Sequence, residues 1–367
     1  MNLRNASFLA ALALLPGLAS PAAARTYTLS GDNVAVWSPA GEVRIEAATG
    51  TSVEVDVNLA GPEASALRVS DEPVGGHSAL RVLYPDGNII YPAIGRWSNS
   101  NTSIRKDGTW GGSKSDWGMS WRRITVKGSG SGTEAWADIV VRVPKGRTVS
   151  VYTIAGSSQI QKVDGHVSFD GGSGAVESAG CRGELTIDVG SGSVQVNDFV
   201  GELLVDTGSG SIRASGVRGP SAKLDTGSGD VTGSQITVDD LLVDTGSGSV
   251  ELTALDTKHG KVDTGSGGVE VGLLTRAPDL VIDTGSGSVR VTVPKDFSAQ
   301  LHVETGSGGI RSELPMTVDE KDQGTLRGSI GGGSGRLYVD TGSGGVSVLA
   351  SAMSSPAPPT AKSKSSK

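Results

Sequence analysis

Residues Asp244 to Val250 form the phrase Asp-Thr-Gly-Ser-Gly-Ser-Val, and this phrase recurs through the second half of the chain. Further clean copies begin at Asp206, Asp225, Asp263, Asp283 and Asp340. A variant with Glu in place of Asp begins at Glu304, and weaker copies begin at Asp170 and Asp188. A phrase that returns this often indicates a repeating structural unit rather than a single site.

The spacing of the copies predicts the fold. Successive steps from Asp170 to Glu304 are 18, 18, 19, 19, 19, 20 and 21 residues, and the last step, to Asp340, is 36. A period near 20 is typical of a solenoid, in which one short unit stacks on the next. We therefore expect an all-β, single-chain parallel β-solenoid of about eleven coils of 18–21 residues. Because adjacent strands lie ~4.8 Å apart, the rod is expected to be on the order of 50 Å long.

Each coil is expected to contain a strand before the phrase, a glycine corner and a strand after it. Apolar and polar residues alternate in both strands, which places alternate side chains on opposite faces. In the coil around Asp244, the side chains predicted to point inward are Leu241, Val243, Thr245, Val250 and Leu252. Those predicted to point outward are Leu242, Asp244, Ser249 and Glu251.

The phrase suits a corner for physical reasons. Glycine tolerates positive φ and close approach of another backbone, Asp and Ser bond turn amides, and stacked Thr residues pair across strands. The predicted corner residues are Asp206, Gly208, Gly210, Asp225, Gly227, Gly229, Asp244, Gly246, Gly248, Asp263, Gly265, Gly267, Asp283, Gly285, Gly287, Asp340, Gly342 and Gly344.

The N-terminus resembles a secretory signal peptide, predicted to span residues 1–24. Arg4 is followed by an apolar run from Phe8 to Leu15 and by Ala22-Ala23-Ala24, a small-residue cleavage site. Its removal takes away one Arg and no acid, so the net charge of −7 becomes −8. An acidic mature chain disfavours nucleic acid as a partner. The mature chain is also predicted to have no transmembrane segment.

Residues 25–146 are predicted to form a β-rich region that caps one end of the solenoid, which then occupies residues 147–350. Within this region, the insert at 95–121 is rich in Gly, Ser and Asn and holds four of the six tryptophans: Trp97, Trp110, Trp117 and Trp121. Aromatic rings on a polar loop often contact sugars or protein partners. The four tryptophans are therefore candidate ligand contacts, and the alternative is that they pack this region or cap the solenoid.

The C-terminal part is expected to be less regular. Residues 322–330 are assigned to a coil that fills the double-length gap, and residues 351–367 to a disordered basic tail. The solenoid would then end at Val348 with only this tail beyond it. Such an open strand edge favours end-to-end self-association or contact with a partner.

No pattern of catalytic or cofactor-binding residues emerges. Asp-Thr-Gly occurs in aspartic proteases, but those need two copies that meet across a cleft, whereas here the copies recur at coil spacing. The stacked carboxylates are a hypothetical calcium site, although the known calcium-binding repeat places its Asp after the glycines. The four histidines and the single Cys181 lack the spacing of metal ligands. We predict no cofactor and no enzymatic activity.

Together with the predicted signal peptide, three further features resemble the bacterial putative-adhesin family of exported β-strand-repeat proteins. They are the turn Val141-Arg142-Val143-Pro144-Lys145-Gly146, the many Asp-Thr-Gly-Ser-Gly corners, and the run from Gly328 to Gly333 before Leu337. The resemblance covers roughly residues 27 to 349. It implies a β-solenoid in a bacterial envelope, and it implies no catalytic residues. The insert at 95–121 matches no motif of that family.

The leading hypothesis is a non-enzymatic, exported, adhesin-like or scaffold protein that binds a cell-surface glycan or an envelope protein. It would act in the periplasm, on the outer surface or outside the cell. One alternative is a carbohydrate-active β-helix enzyme, which would need a cluster of acids or bases that breaks the repeat. Another is a sensing or regulatory module of envelope stress with a ligand at the tryptophans.

Overall fold

The computed structural model describes residues 24–111 and 121–351. The predicted signal peptide, Trp117 and the predicted tail beyond Ser351 lie outside these residues. The described part is built of β-strands, with two short 3-10 helices at Ala64–Ala66 and Pro92–Ile94. Within it, no helix has the length and apolar character needed to cross a bilayer. The all-β prediction is confirmed.

In residues 24–111 and 121–351, thirty-two strands follow one another. The N-terminal strands are β1 (Arg25–Leu29), β2 (Asn33–Ala40), β3 (Val43–Ala48), β4 (Val53–Ala60), β5 (Arg68–Ser70), β6 (Ser78–Leu83), β7 (Asn88–Ile90), β8 (Asn99–Arg105), β9 (Trp121–Lys127), β10 (Thr133–Glu134) and β11 (Trp136–Pro144). The strands of the first layers that follow are β12 (Thr148–Ala155), β13 (Ser158–Gln161), β14 (Asp164–Ser173), β15 (Val176–Ala179), β16 (Arg182–Ser191), β17 (Val194–Asn197), β18 (Val200–Thr207) and β19 (Ile212–Ser215).

The remaining strands complete the repeat and its C-terminal end. They are β20 (Arg218–Thr226), β21 (Val231–Ser234), β22 (Thr237–Thr245), β23 (Val250–Thr264), β24 (Val269–Leu273), β25 (Asp279–Thr284), β26 (Val289–Val293), β27 (Ala299–Thr305), β28 (Ile310–Ser312), β29 (Met316–Lys321), β30 (Thr325–Ile330), β31 (Gly335–Thr341) and β32 (Val346–Ala350).

Two long sheets face each other across one hydrophobic core. The pre-corner sheet contains the strands that precede each Asp-Thr-Gly corner, and the post-corner sheet contains those that follow it; β23 contributes to both. One strand of each sheet, joined by a corner, makes a layer. The predicted alternation is confirmed in the layer around Asp244, where Leu241, Val243, Thr245, Val250 and Leu252 are buried.

Neighbouring layers pair in parallel and in register. In the pre-corner sheet, for example, Val205 pairs with Leu224 and Leu224 pairs with Val243. Side chains at equivalent positions therefore stack above one another along the rod, and the interior fills with Val, Leu and Ile from the successive layers. A long parallel sheet of this kind, curled into layers, confirms the solenoid architecture.

The last layers do not stack in the order of the chain. The layer β25–β26 pairs with β31–β32, and β31–β32 pairs in turn with β27–β28. The C-terminal strands are thus inserted between two layers that precede them in the chain. The solenoid consequently does not end at Val348, which pairs with Val291 on one side and with Ser312 on the other.

The segment 322–330 is not a coil, and that expectation was wrong. It contributes β30, which runs antiparallel to β27, and β29 pairs antiparallel with β30 on the outside. This hairpin covers the outer edge of the pre-corner sheet. An antiparallel return needs only a short turn, whereas a further parallel layer needs both strands and two corners.

The N-terminal region belongs to the same sheets. β2 and β3 form a layer that pairs with β12 and β13, so the boundary predicted at 146/147 does not separate two sheets. Antiparallel strands lie beyond it, with β5 on β6 in one sheet and β1 and β11 on β4 in the other. The capping role of this region stays a prediction. Strands β7 to β10 form a separate small insert sheet.

Candidate binding groove on the pre-corner sheet

The threonine of each phrase joins neighbouring layers. Thr226 Oγ1 donates a hydrogen bond to the carbonyl oxygen of Gly210 in the preceding layer at 2.8 Å, and it accepts one from the Gly229 N–H at 3.1 Å. The same two bonds recur at Thr207, Thr245, Thr264, Thr284, Thr305 and Thr341. The hydroxyl of Thr, and not the Asp side chain as expected, therefore bonds the turn amide.

The glycines of the phrase are required by the spacing of the layers. A Cβ atom on Gly248 would lie 1.9 Å from the carbonyl oxygen of Gly229, and one on Gly246 would lie 2.4 Å from that of Gly227. None of the predicted corner glycines has a positive φ in the left-handed region, so that part of the expectation was wrong. Positive φ values occur instead at the second corner of a layer, for example at Asp198 and Ala254, both at 54°.

The aspartates of the phrase form the expected column on the outer face of the pre-corner sheet. Asp206, Asp225 and Asp244 pair in register, and the column continues through the later layers to Asp283, Asp340 and finally Glu304. Asp225 and Asp263 are in ion pairs with Lys223 at 3.1 Å and Lys261 at 3.0 Å.

Four aspartates of the column carry raised pKa values. Burial and then the charges of neighbouring aspartates raise the pKa of Asp206, Asp244 and Asp283. At the N-terminal end, burial and the charge of Asp188 raise the pKa of Asp170 to about 6. A carboxylate that loses water and gains like charges binds its proton more tightly, so the column stores electrostatic repulsion at neutral pH.

The tryptophans of the insert do not form a common patch. Trp110 is 4% exposed, and its carbonyl oxygen accepts a hydrogen bond from Trp37 Nε1 at 3.0 Å. Trp97 is 87% exposed and Trp121 is 48% exposed, but they lie near opposite ends of the β8–β9 pair. Of the three described, Trp110 therefore packs the N-terminal region over the solenoid, which was the alternative explanation of the cluster.

A groove runs across the outer face of the pre-corner sheet from β16 to β31. Its volume is about 470 Å³, and its lining residues include Glu202, Leu204, Lys223, Asp240, Leu242 and Lys261. These side chains point outward, so the packing of the core does not require them. The groove crosses seven strands, which corresponds to roughly 29 Å at ~4.8 Å per step.

From β18 to β25, the five central layers of this groove are of two alternating kinds, whereas β16 carries Glu184-Thr186-Asp188 and β31 carries Arg336-Tyr338-Asp340. One kind carries acid, apolar residue and acid at alternate positions of the strand, as in Glu202-Leu204-Asp206 and Asp240-Leu242-Asp244. The kind between them carries Lys in the middle, as in Ser221-Lys223-Asp225 and His259-Lys261-Asp263. Asp279-Val281-Asp283 continues the first kind, so the groove has a two-layer period of 38 or 39 residues.

The repeat sequence itself contains the alternation of this groove, which the sequence interpretation missed. From β18 to β25, consecutive copies of the phrase differ at the outward positions, whereas every second copy is alike there. Aligning copies 38 or 39 residues apart brings Leu204 onto Leu242 and Lys223 onto Lys261. The outward positions, which vary while the core positions stay constant, carry the difference.

One cluster of ionisable groups breaks the repeat at the C-terminal end of the column. Glu304 Oε1 lies 2.7 Å from His302 Nε2 and accepts a hydrogen bond from Arg327 at 3.1 Å. The Tyr338 hydroxyl donates to Glu304 Oε2 at 3.4 Å. The bonds from His302 and Arg327 lower the pKa of Glu304. Arg327 belongs to β30, so the cluster ties the capping hairpin to β27.

The stacked carboxylates do not form a recognisable metal centre. Among the described residues, no group of three or more His, Cys, Asp or Glu side chains is arranged to hold a metal ion. Lys223 and Lys261 already neutralise two members of the column. The calcium hypothesis therefore gains no support from the geometry.

Comparison with models of known protein families identifies one that matches this chain. The model of the Toastrack DUF4097 family matches residues 116–349, which is more than half of the chain. The chain belongs to the Toastrack DUF4097 family. This agrees with the expectation of a related β-repeat family, and the match covers both the layers and the C-terminal hairpin.

A search of solved structures adds one similar chain, described as a putative cell adhesion protein from Clostridium sporogenes. It is 11% identical, the alignment covers 89% of this chain and 100% of the other, and the TM-score is 0.22. Superposition at this level supports no argument about function. No curated protein matches the chain.

Proposed function

We propose that this Toastrack protein is an exported, non-enzymatic, adhesin-like protein of the bacterial cell envelope that binds a partner along the groove of its pre-corner sheet. The single observation that carries the proposal is the groove itself. It presents charged and apolar side chains at regular intervals over roughly 29 Å, on a face that the core does not need. Rigid stacked layers hold these side chains in fixed positions, which lowers the entropy lost on binding.

Export rests on the signal-peptide pattern of residues 1–24, and the envelope setting rests on the family resemblance. The acidic net charge disfavours a nucleic-acid partner. Fractionation of the producing cells, with detection of the mature chain in periplasm, outer surface or medium, tests the location. A chain that stays in the cytoplasm with residues 1–24 attached would contradict export.

Binding is tested with the labelled mature chain on intact cells and on isolated envelopes. The groove variant Leu204→Ser/Leu242→Ser removes exposed or half-exposed apolar groups and should lower the bound fraction severalfold. The control Glu251→Gln/Glu270→Gln alters exposed residues of the post-corner sheet and should bind like wild type. If neither cells nor envelopes retain the wild-type chain, the proposed function is wrong.

One observation favours a second function, a carbohydrate-active enzyme. The cluster of Glu304, His302, Tyr338 and Arg327 places a carboxylate, an imidazole and a phenol together where the repeat breaks. Its groups bond one another, however, and Glu304 has a lowered pKa, which suits an ion pair better than a proton donor. Release of reducing or unsaturated ends from envelope polysaccharides, abolished by Glu304→Gln, would establish the enzyme instead.

A further inference from the structure

From the arrangement of the groove we infer that its occupant is an extended basic polypeptide in the polyproline II conformation, running along the stacking axis with Lys or Arg at every third residue. This inference rests on the proposed function, because it names the chemical class of the partner for the same groove.

In the part of the chain that the structure describes, several carboxylates in and beside the groove have no cation in contact. Within the described residues, Glu202 and Asp240 in the groove, and Asp206, Asp244 and Asp283 beside it, make no ion pair within 4.0 Å. Asp279 is paired with Arg336 at 2.7 Å. The layers that contain Leu204 and Leu242 therefore present two carboxylates each that make no ion pair within 4.0 Å, one on either side of an apolar side chain, although the charges of Lys223 and Lys261 in the neighbouring layers act on Asp206 and Asp244.

A basic side chain fits such a layer. The methylene stem of Lys or Arg packs on an aliphatic side chain while the charged end reaches a carboxylate. Leu204 is exposed and Leu242 is half-buried, so both offer aliphatic surface to a stem. A charge-assisted hydrogen bond to Glu202 or Asp206, and to Asp240 or Asp244, would complete the contact.

The layers between the acidic ones set the register of the cations. Lys223 and Lys261 occupy the layers between the acidic ones and repel a second cation there. Between β18 and β25, basic side chains are thereby restricted to alternate layers, which lie roughly 9.6 Å apart at ~4.8 Å per layer. The groove therefore selects a polymer whose cations recur at that distance.

A spacing of roughly 9.6 Å between cations matches one backbone conformation, polyproline II. A polyproline II helix has three residues per turn and rises ~3.1 Å per residue, so one face repeats every ~9.3 Å. A β-strand presents one face every second residue, or roughly 6.7 Å, and an α-helix repeats at ~5.4 Å. Only the polyproline II repeat follows the acidic layers over three successive sites.

The test uses two synthetic basic peptides with the full mature chain. One repeats Lys-Pro-Ala, and the other has the same composition with its lysines placed next to each other. Fluorescence anisotropy should show that the evenly spaced peptide binds about tenfold more tightly, which corresponds to ~1.4 kcal/mol. Circular dichroism checks that every variant used in this test is folded.

The variants locate the contact. Glu202→Gln/Asp240→Asn should weaken binding of the evenly spaced peptide by about tenfold or more, since two charge-assisted bonds are lost. Glu251→Gln/Glu270→Gln makes the same change of net charge on the post-corner sheet and should weaken binding less than about twofold, as expected for long-range charge alone.

Three results would overturn the inference. Equal binding of both peptides, or equal effects of both variants, would mean general charge attraction. Binding of a glucosamine oligosaccharide with no binding of either peptide would assign the groove to a polysaccharide. Retention of the chain by cells, lost in Leu204→Ser/Leu242→Ser, without peptide binding would contradict the peptide while leaving the proposed function intact.

Discussion

The carbonyl group of the neighbouring layer leaves no room for a side chain at each corner glycine of the phrase. In a sheet whose layers are ~4.8 Å apart, a corner has no room for a methyl group directed at the neighbouring backbone. Gly248 meets this limit, because a Cβ atom there would lie 1.9 Å from the Gly229 oxygen, whereas a Cβ on Gly268 would be 3.5 Å from the oxygen of Ser288. Two glycines of adjacent phrases thus have different tolerances.

We expect Gly248→Ala to lower the free energy of unfolding by several kcal/mol, because the backbone of one layer must move away from the next. Gly268→Ala is the matched control and should change it by less than about 1 kcal/mol. Urea unfolding followed by circular dichroism measures both. Similar losses in the two variants would show that the distance to the neighbouring carbonyl does not decide the choice of glycine.

The buried threonines give a second prediction at this scale. Thr245→Val keeps the shape of the side chain but leaves the Gly248 N–H and the Gly229 carbonyl without their partner. Because each buried unpaired group costs about 1–3 kcal/mol, we expect a loss of about 2–4 kcal/mol. Thr245→Ser keeps the hydroxyl and should lose about 1 kcal/mol. The reverse order of urea midpoints would contradict this role.

Among the elements, the column of aspartates couples stability to pH. Asp170 has a pKa of about 6 in the folded chain, and the pKa values of Asp206, Asp244 and Asp283 are also raised. The folded state therefore binds these protons more tightly than the unfolded state does. The stability gained in this way is complete below the unfolded value of 3.8 and is lost as the pH rises through the folded values.

We accordingly expect Asp170→Asn to raise the melting temperature at pH 7 by about 2–4 °C, since its amide stays neutral, and to have little effect near pH 3.5. The control Glu251→Gln, an exposed carboxylate of the post-corner sheet, should behave like wild type at both pH values. A gain for Asp170→Asn that is the same at both pH values would exclude ionisation as its cause.

How far the elements could be predicted depends on whether their determinants are local. The alternation of Leu241, Val243 and Thr245 is contained in a single strand, so burial followed from the sequence. The order of the last layers did not follow from the sequence. Strands β25, β27 and β31 all precede the same corner pattern, so any of them fits any neighbour. Trp110 was a candidate ligand contact with packing of this region as the alternative, and the polar composition around it did not distinguish the two, because that composition hides its position above Trp37.

Only part of the candidate groove could be predicted from the sequence. The outward direction of Asp206 and Asp244 followed from alternation, and their stacking followed from the period. The alternation of Leu204 with Lys223 became significant only when the register showed that these side chains are neighbours in space. The cluster at Glu304 depends on Arg327, which reaches it across an antiparallel pair that the repeat does not predict.

For the whole molecule, the hairpin β29–β30 protects an edge. Its strand β30 occupies the side of β27 that does not face β31. Replacing residues 316–330 by a Gly-Ser linker of equal length should expose the backbone groups of β27 and promote association between chains. Sedimentation velocity should show larger species that increase with concentration, relative to wild type.

The matched control, Arg327→Gln, keeps the hairpin and replaces only the side chain that bonds it to Glu304. This variant loses the bond to Glu304 but retains the strand pairing, so we expect it to sediment like wild type. If the linker variant also sediments like wild type at every concentration, the hairpin is not what keeps this end from associating.

The insertion of β31–β32 between two earlier layers also sets an order of events in time. A chain leaves the ribosome with its N-terminus first, so the layers up to β25–β26 find their neighbours as they emerge. Strands β27–β28 must wait, because their parallel neighbour is made of residues 335–350, among the last to be synthesised. We therefore expect the end of the rod to close only after residues 335–350 have been synthesised.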